Sequence, residues 1–200
     1  MEALSPEVIE DLKHGRAPRE RKLAVVSTGA HLPLPDRAEI LAVLLHDADE
    51  SISSRAAEAM LNIPPEAFVE SIGRASTLPA LHQYAARNLA DKPEIFDALL
   101  NNKHCPGDAL VPIVPKLTAA QVQALLDDLD RISSSPHLIT ALEHSPIVTP
   151  DQKKLLQELH QTGVDEKALA DAAAEAEPDA VRRQTLLQQI SHMTVAQRVQ

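Results

Sequence analysis

Aromatic side chains are scarce in this sequence, with one Tyr, two Phe and no Trp among 200 residues. A core must then be assembled from Leu, Ala, Val and Ile, and side chains of that size suit closely packed helices. Cys105 is the single cysteine, which excludes an internal disulfide and any cysteine-based zinc or iron-sulfur centre held by one chain. Five glycines, at 15, 29, 73, 107 and 163, form no GxGxxG or Walker-type loop, so no phosphate-cradling motif is present. The longest purely apolar run, Ile40 to Leu45, falls far short of the roughly 20 residues that cross a bilayer as a helix. The start, Met-Glu-Ala-Leu-Ser-Pro, has neither the basic residues nor the apolar stretch of a secretory leader, and a cytoplasmic location is the expectation. Positive charge is lacking too: the net charge is −10, which opposes the counterion release that drives most nucleic-acid binding. Neither nucleic acid nor membrane is expected as a partner.

What remains is the composition of a folded protein, 44% hydrophobic and 24% charged. The one basic cluster, Lys13, Arg16, Arg19, Arg21 and Lys22, is interrupted by Asp11 and Glu20 and reads as a solvated helix face. Fifteen prolines fall mostly where a first helical turn tolerates them, because the missing N–H has no intrahelical partner there. Ser5-Pro6, Ser135-Pro136 and Thr149-Pro150 each set a hydroxyl before the proline as a candidate cap. Capping boxes are expected at Thr118/Gln121, Thr149/Gln152 and Thr194/Gln197, with Asp91/Glu94 as an acidic version.

Behind these starts, apolar residues recur at steps of three and four: Ile40, Leu41, Leu44, Leu45; Ile52, Ala56, Ala59, Met60; Leu81, Ala85, Leu89; Val122, Leu125, Leu126, Leu129. Only helix fits that period, and no stretch alternates as a strand would. The expectation is an all-α chain of about a dozen helices of two to three turns, each marginal alone and held by stacking.

Internal similarity is the strongest signal. Ile52, Ala56 and Met60 share one register with Leu81, Ala85 and Leu89, at an offset of 29 residues. An alanine in mid-helix lets the partner helix approach closely. With its lead-in, Leu44-Leu45-His46-Asp47-Ala48-Asp49-Glu50-Ser51, the first copy resembles the second helix of a HEAT repeat and the acidic turn before it. Glu177 to Arg183 is a third, partial match. Leu100 to Leu110, with His104-Cys105-Pro106, is echoed by Leu142 to Pro150, with His144-Ser145-Pro146; this is similar to the leucine-rich repeat variant, a bacterial all-helical repeat. Both resemblances imply an armadillo-type α-α superhelix, a solenoid of short antiparallel helix pairs that serves as a binding surface. The expected organisation is N-terminal capping helices over 1–33, HEAT-like repeats over 34–190, and the start of a further helix, open-ended, over 191–200.

Chemistry-bearing residues are few. The nine histidines are scattered, with no i, i+4 pair, and no His-Glu dipeptide of the kind that HEAT-like iron hydroxylases carry; no metal or cofactor is expected. His104, Cys105 and Asp108 offer half a site in a loop, where a loop role is preferred. Cys105, just before a proline at an expected helix start, has a thiol that a helix dipole could activate, but a buried inert thiol is preferred because no base can be paired with it. The function expected is a protein-binding scaffold without catalytic activity. Its partner-binding residues would be Arg55, Glu58, Gln83, Tyr84 and Arg87, on the solvent-facing side of the two matched helices with Ser54. Glu58 and Arg87 occupy equivalent positions, where lateral pairing between repeats is expected. The alternative is a HEAT-like cofactor-handling domain of the bilin-lyase kind, marked by a pocket gathering His46, His82 or Cys105 with carboxylates.

Overall fold

Prolines open most of the helices. Pro6, Pro35, Pro65, Pro79, Pro93 and Pro136 each stand in the first two helical positions, where a fixed φ is already helical and no hydrogen bond is lost. The computed structural model describes residues 5–28 and 31–161. In chain order the helices are α1 (Pro6–Lys13), α2 (Arg19–Thr28), α3 (Leu34–Leu44), α4 (Glu50–Met60), α5 (Pro65–Ile72), α6 (Pro79–Asn88), α7 (Pro93–Asn101), a 3₁₀ segment (Gly107–Lys116), α8 (Ala119–Leu126), α9 (Leu129–Ser133) and α10 (Pro136–Glu143). A further helix opens at Pro150. The chain is all-α, and no strand occurs among the described residues. No helix among them is long and apolar enough to cross a membrane.

Capping follows the sequence in part. Thr118 and Gln121 form a complete capping box, and Thr149 with Gln152 makes the same reciprocal pair, at 2.9 and 3.3 Å. Ser5 and Ser135 occupy N-cap positions without a side-chain cap bond. The acidic box is also corrected: Lys92 is the N-cap of α7, and Asp91 instead accepts from Lys116 Nζ at 2.6 Å. The Thr194/Gln197 box, the match at 177–183 and the segment 191–200 lie outside the described residues. So does the 162–190 part of the expected repeat region.

A second correction concerns residues 107–116. A helix start was expected at Pro106, but the segment is 3₁₀ and contains Pro112 and Pro115. Neither proline can donate to the carbonyl four residues back, so an α-helical ladder cannot form and the tighter turn takes over.

Packing arranges the helices in two series. α1, α3, α5 and α7 each lie against the next member of that series, while α2 packs on α4, α6 on the 3₁₀ segment, and the 3₁₀ segment on α10. α3 touches both series, since α2, α4 and α6 also pack on it. Accordingly it carries the densest apolar face, with Ala38, Ile40, Leu41, Ala42 and Leu44 fully buried. The matched register is the core-facing stripe: Ile52, Ala56 and Met60 of α4 and Leu81 and Ala85 of α6 are buried, and Leu89 packs at its edge. Burial of such side chains contributes about 1.5–3 kcal/mol each for the larger ones, which is what holds helices of this length.

Several hydrogen bonds from side chains to groups far along the chain share a spacing of 29 to 32 residues. Asn102 reaches back 30 residues to Ile72, Arg131 reaches 31 and 32 to Leu100 and Leu99, and His137–Asp108 and Gln152–Gln123 both span 29. Near the amino terminus Arg19 Nε donates to Asp49 at 2.6 Å and Lys22 Nζ to Asp47 at 2.6 Å, tying α2 to the turn before α4. Asp49 then caps α4 by accepting from Ser51 N–H at 2.9 Å.

Candidate functional site

Polar groups buried in the core mark the junctions between helix pairs. Asn102, just after α7, donates to the carbonyls of Ile72 and Arg74 at the end of α5, while its Oδ1 accepts from His104 N–H at 2.8 Å. Arg131 in α9 does the same work one unit later. The residue is 7% exposed, and its guanidinium donates to Leu100 O at 3.1 Å and Leu99 O at 3.2 Å, placing a cation on the carbonyl end of α7, where the helix dipole is negative. Arg131 Nε has no hydrogen-bond partner among the described residues. These carbonyls are among the last of their helices, which have no intrahelical donor.

His82 and Cys105 lie against this arrangement. Asn102 Nδ2 is 3.5 Å from His82 Nε2. His82 is fully buried, and its Nδ1 has no hydrogen-bond partner among the described residues. Burial, reinforced by the positive charge of Arg131, pushes its pKa down to about 4, so the ring is neutral at pH 7. Cys105 is also buried, and burial pushes its thiol up to about 11 despite the opposing charge of Arg131. The thiol is the buried, inert one that the sequence favoured: Cys105 precedes a 3₁₀ turn inside the core, and its sulfur is protonated at pH 7.

Outside these groups is a cleft of about 600 Å³ bordered by His104, Cys105, Asp108, Asp128, Asp130 and Arg131. The half-site read in the sequence, His104, Cys105 and Asp108, is thus brought to one cleft, together with Arg131, which sequence reasoning did not single out. No group of three or more His, Cys, Asp or Glu able to hold a metal ion occurs among the described residues. Asp128 is engaged with the Arg131 backbone N–H. Gly107 closes the inner wall: a Cβ there would sit 2.3 Å from Ser135 Oγ and 3.0 Å from Arg131 O, so only glycine permits this approach.

On the other side of Asp108 is a shallow groove of about 300 Å³ between α6, the 3₁₀ segment and α10. It is lined by Gln83 and Arg87 of α6, by Asp108, Val111 and Pro112 of the 3₁₀ segment, and by His137 of α10. Asp108 Oδ2 is 3.4 Å from His137 Nδ1.

The expected partner residues divide. Arg55 and Glu58 are exposed on α4, and Gln83 and Arg87 on α6, the last two lining the groove. Tyr84 is corrected: it is half-buried and stacks on Phe68, with ring centroids 6.2 Å apart. Three residues after Leu81, its side chain leans toward the apolar face of α6, and burial raises its phenol. The lateral pair is corrected as well, because no ion pair joins Glu58 to Arg87 among the described residues. His46 is exposed and borders neither depression. Asn102 and Arg131 had one available signal: they stand 29 residues apart, the offset that also relates Ile52 to Leu81.

Comparison of the chain with protein-family models, with curated proteins and with solved structures gave no match.

Proposed function

We propose that this protein is a docking module, a stack of HEAT-like helix pairs that binds another protein through an outer face and performs no chemistry of its own. The observation that carries the reading is the recurrence of one spacing. Asn102 and Arg131, 29 residues apart in sequence, each fasten the carbonyl end of the preceding helix of the first series. A unit that meets mainly its neighbours in sequence is the defining property of solenoids, whose elongated faces serve as platforms for partners.

Support comes also from the reactive groups. The thiol of Cys105 is buried and protonated, the ring of His82 is buried and neutral, and His46 lies apart from both. The cleft does set Cys105 beside Asp108, Asp128 and Asp130, as a lyase-like reading would ask, but the sulfur there is buried and protonated rather than poised for chemistry. A free cysteine without a disulfide partner accords with a cytoplasmic setting.

The test is affinity capture from the source cell followed by reconstitution with the purified candidate. A saturable complex of fixed stoichiometry that is weakened by charge reversal at Arg87 agrees with the reading. Stoichiometric bound metal or chromophore in the purified protein would refute it.

A further inference from the structure

We propose that the groove between α6, the 3₁₀ segment and α10 receives an acidic peptide segment of a partner protein, whose carboxylates meet Arg87 and whose apolar side chains settle on Val111 and Pro112. The inference rests on the docking reading above and adds the face and the chemistry of the partner.

The argument begins with where charge stands. On α1, α3, α5 and α7 the exposed charged residues are Glu7, Glu10, Glu66, Glu70, Glu94 and Asp97, with no exposed Arg or Lys. The other series carries exposed Arg19, Arg21, Arg55, Arg87 and Lys116 among Glu20, Glu50, Glu58 and Asp108. In a protein of net charge −10, the exposed cations of these helices thus stand on one of the two series, with Lys154 exposed on the later helix that opens at Pro150. Arg19 is engaged with Asp49 and Lys116 with Asp91. Arg21, Arg55 and Arg87 are in no ion pair among the described residues.

Of these three, Arg87 lines the groove described above. In the same groove Asp108 faces His137 at 3.4 Å, and Arg87 forms no ion pair with it. The half-buried Val111 and Pro112 line the same groove. An arginine beside these apolar side chains matches a chain of alternating acidic and apolar residues, because charge complementarity selects and orients while apolar burial supplies affinity. Nucleic acid fits poorly, since cations dispersed among Glu20, Glu50 and Glu58 give no continuous phosphate track.

The test uses the full 200-residue chain and a displayed library of random dodecapeptides, with an oligothymidylate strand as a parallel probe. Selected peptides are expected to be enriched in Asp and Glu interspersed with Leu, Ile or Val. Their binding should weaken about tenfold or more with Arg87→Glu or Val111→Asp, weaken with added salt, and persist in the α7 control Glu94→Lys. Circular dichroism and melting temperature confirm that each variant is folded, and a charge-conserving Arg87→Lys is expected to retain most of the binding. Peptides without acidic enrichment, or insensitive to Arg87→Glu, would overturn the inference and leave the docking reading standing. No selected peptide at all would overturn both. Tighter binding of the oligothymidylate, or self-association abolished by Arg87→Glu, would also overturn it by naming nucleic acid or a second copy as occupant.

Discussion

Acidification should single out His82. In the folded protein its ring is fully buried, with a pKa pushed down to about 4 by burial and by Arg131, whereas an unfolded histidine titrates near 6.5. Between those two values the unfolded chain binds a proton that the folded chain refuses, so stability falls as pH falls. The contribution is fully present above about pH 6.5 and declines by about 2 kcal/mol at pH 5 and about 3 kcal/mol at pH 4. The perturbation is His82→Leu. It removes the titrating ring and the partnerless Nδ1, while Asn102 keeps its carbonyl acceptors on Ile72 and Arg74. At pH 7 the variant should lie within about 1 kcal/mol of the parent, because an apolar side chain of similar size replaces a polar group left unsatisfied. Urea unfolding at a series of pH values from 7 to 4 is the assay. The parent should lose stability more steeply than the variant, by about 1.4 kcal/mol per pH unit where one proton is at stake. Parallel curves for the two proteins would refute the reasoning.

Other expectations follow from the same groups. Arg131→Met should lower stability by about 2–4 kcal/mol, because the carbonyls of Leu99 and Leu100 lose their donors; Arg131→Lys should recover little of it, since an ammonium lacks the planar fork. Denaturant melts check both. Gly107→Ala should cost about 1–3 kcal/mol through overlap with Ser135 and the Arg131 carbonyl, read as a lowered melting temperature. Cys105 should resist a water-soluble thiol reagent in native protein at pH 7 and react at once in urea; fast native labelling would contradict its burial. At lower pH a second transition is expected from the turn before α4. Asp49 is held at about 2 by hydrogen bonds from Ser51 and then Arg19. Burial alone would raise Asp47, but hydrogen bonds from Lys22 and the Asp49 N–H outweigh it and hold it lower. These folded carboxylates titrate below their unfolded values, so their contribution is present above about pH 4 and is lost as pH falls toward about 2. Arg19→Ala should shift that loss to higher pH.

How much of this was legible depended on which force decided each feature. The apolar stripes were readable because burial of Ile52, Ala56, Met60, Leu81 and Ala85 follows directly from helical spacing. The capping boxes at Thr118 and Thr149 were readable because both partners sit three residues apart. Asp91 misled because its local offer to a helix N-terminus competed with Lys116, 25 residues away, and a local pattern has no term for that rival. Residues 107–116 misled because their apolar pattern suits either helix type, and the two internal prolines settle the matter through missing donors. The polar cluster around Arg131 was harder to see. A charged residue between Leu129 and Ile132 reads as solvated unless the 29-residue offset is carried forward from Asn102. The groove was half visible: Gln83 and Arg87 came from the matched helix, while Val111, Pro112 and His137 join them only through the packing of three elements.

The fastenings made by Asn102 and Arg131 end on main-chain oxygen atoms, which every amino acid supplies alike. Substitution at Ile72, Arg74, Leu99 or Leu100 leaves those acceptors in place, so the joint endures while its outer side chains vary, and only packing constrains the fully buried Ile72 and Leu99. A lineage could rewrite most of its surface without retiring the two donors.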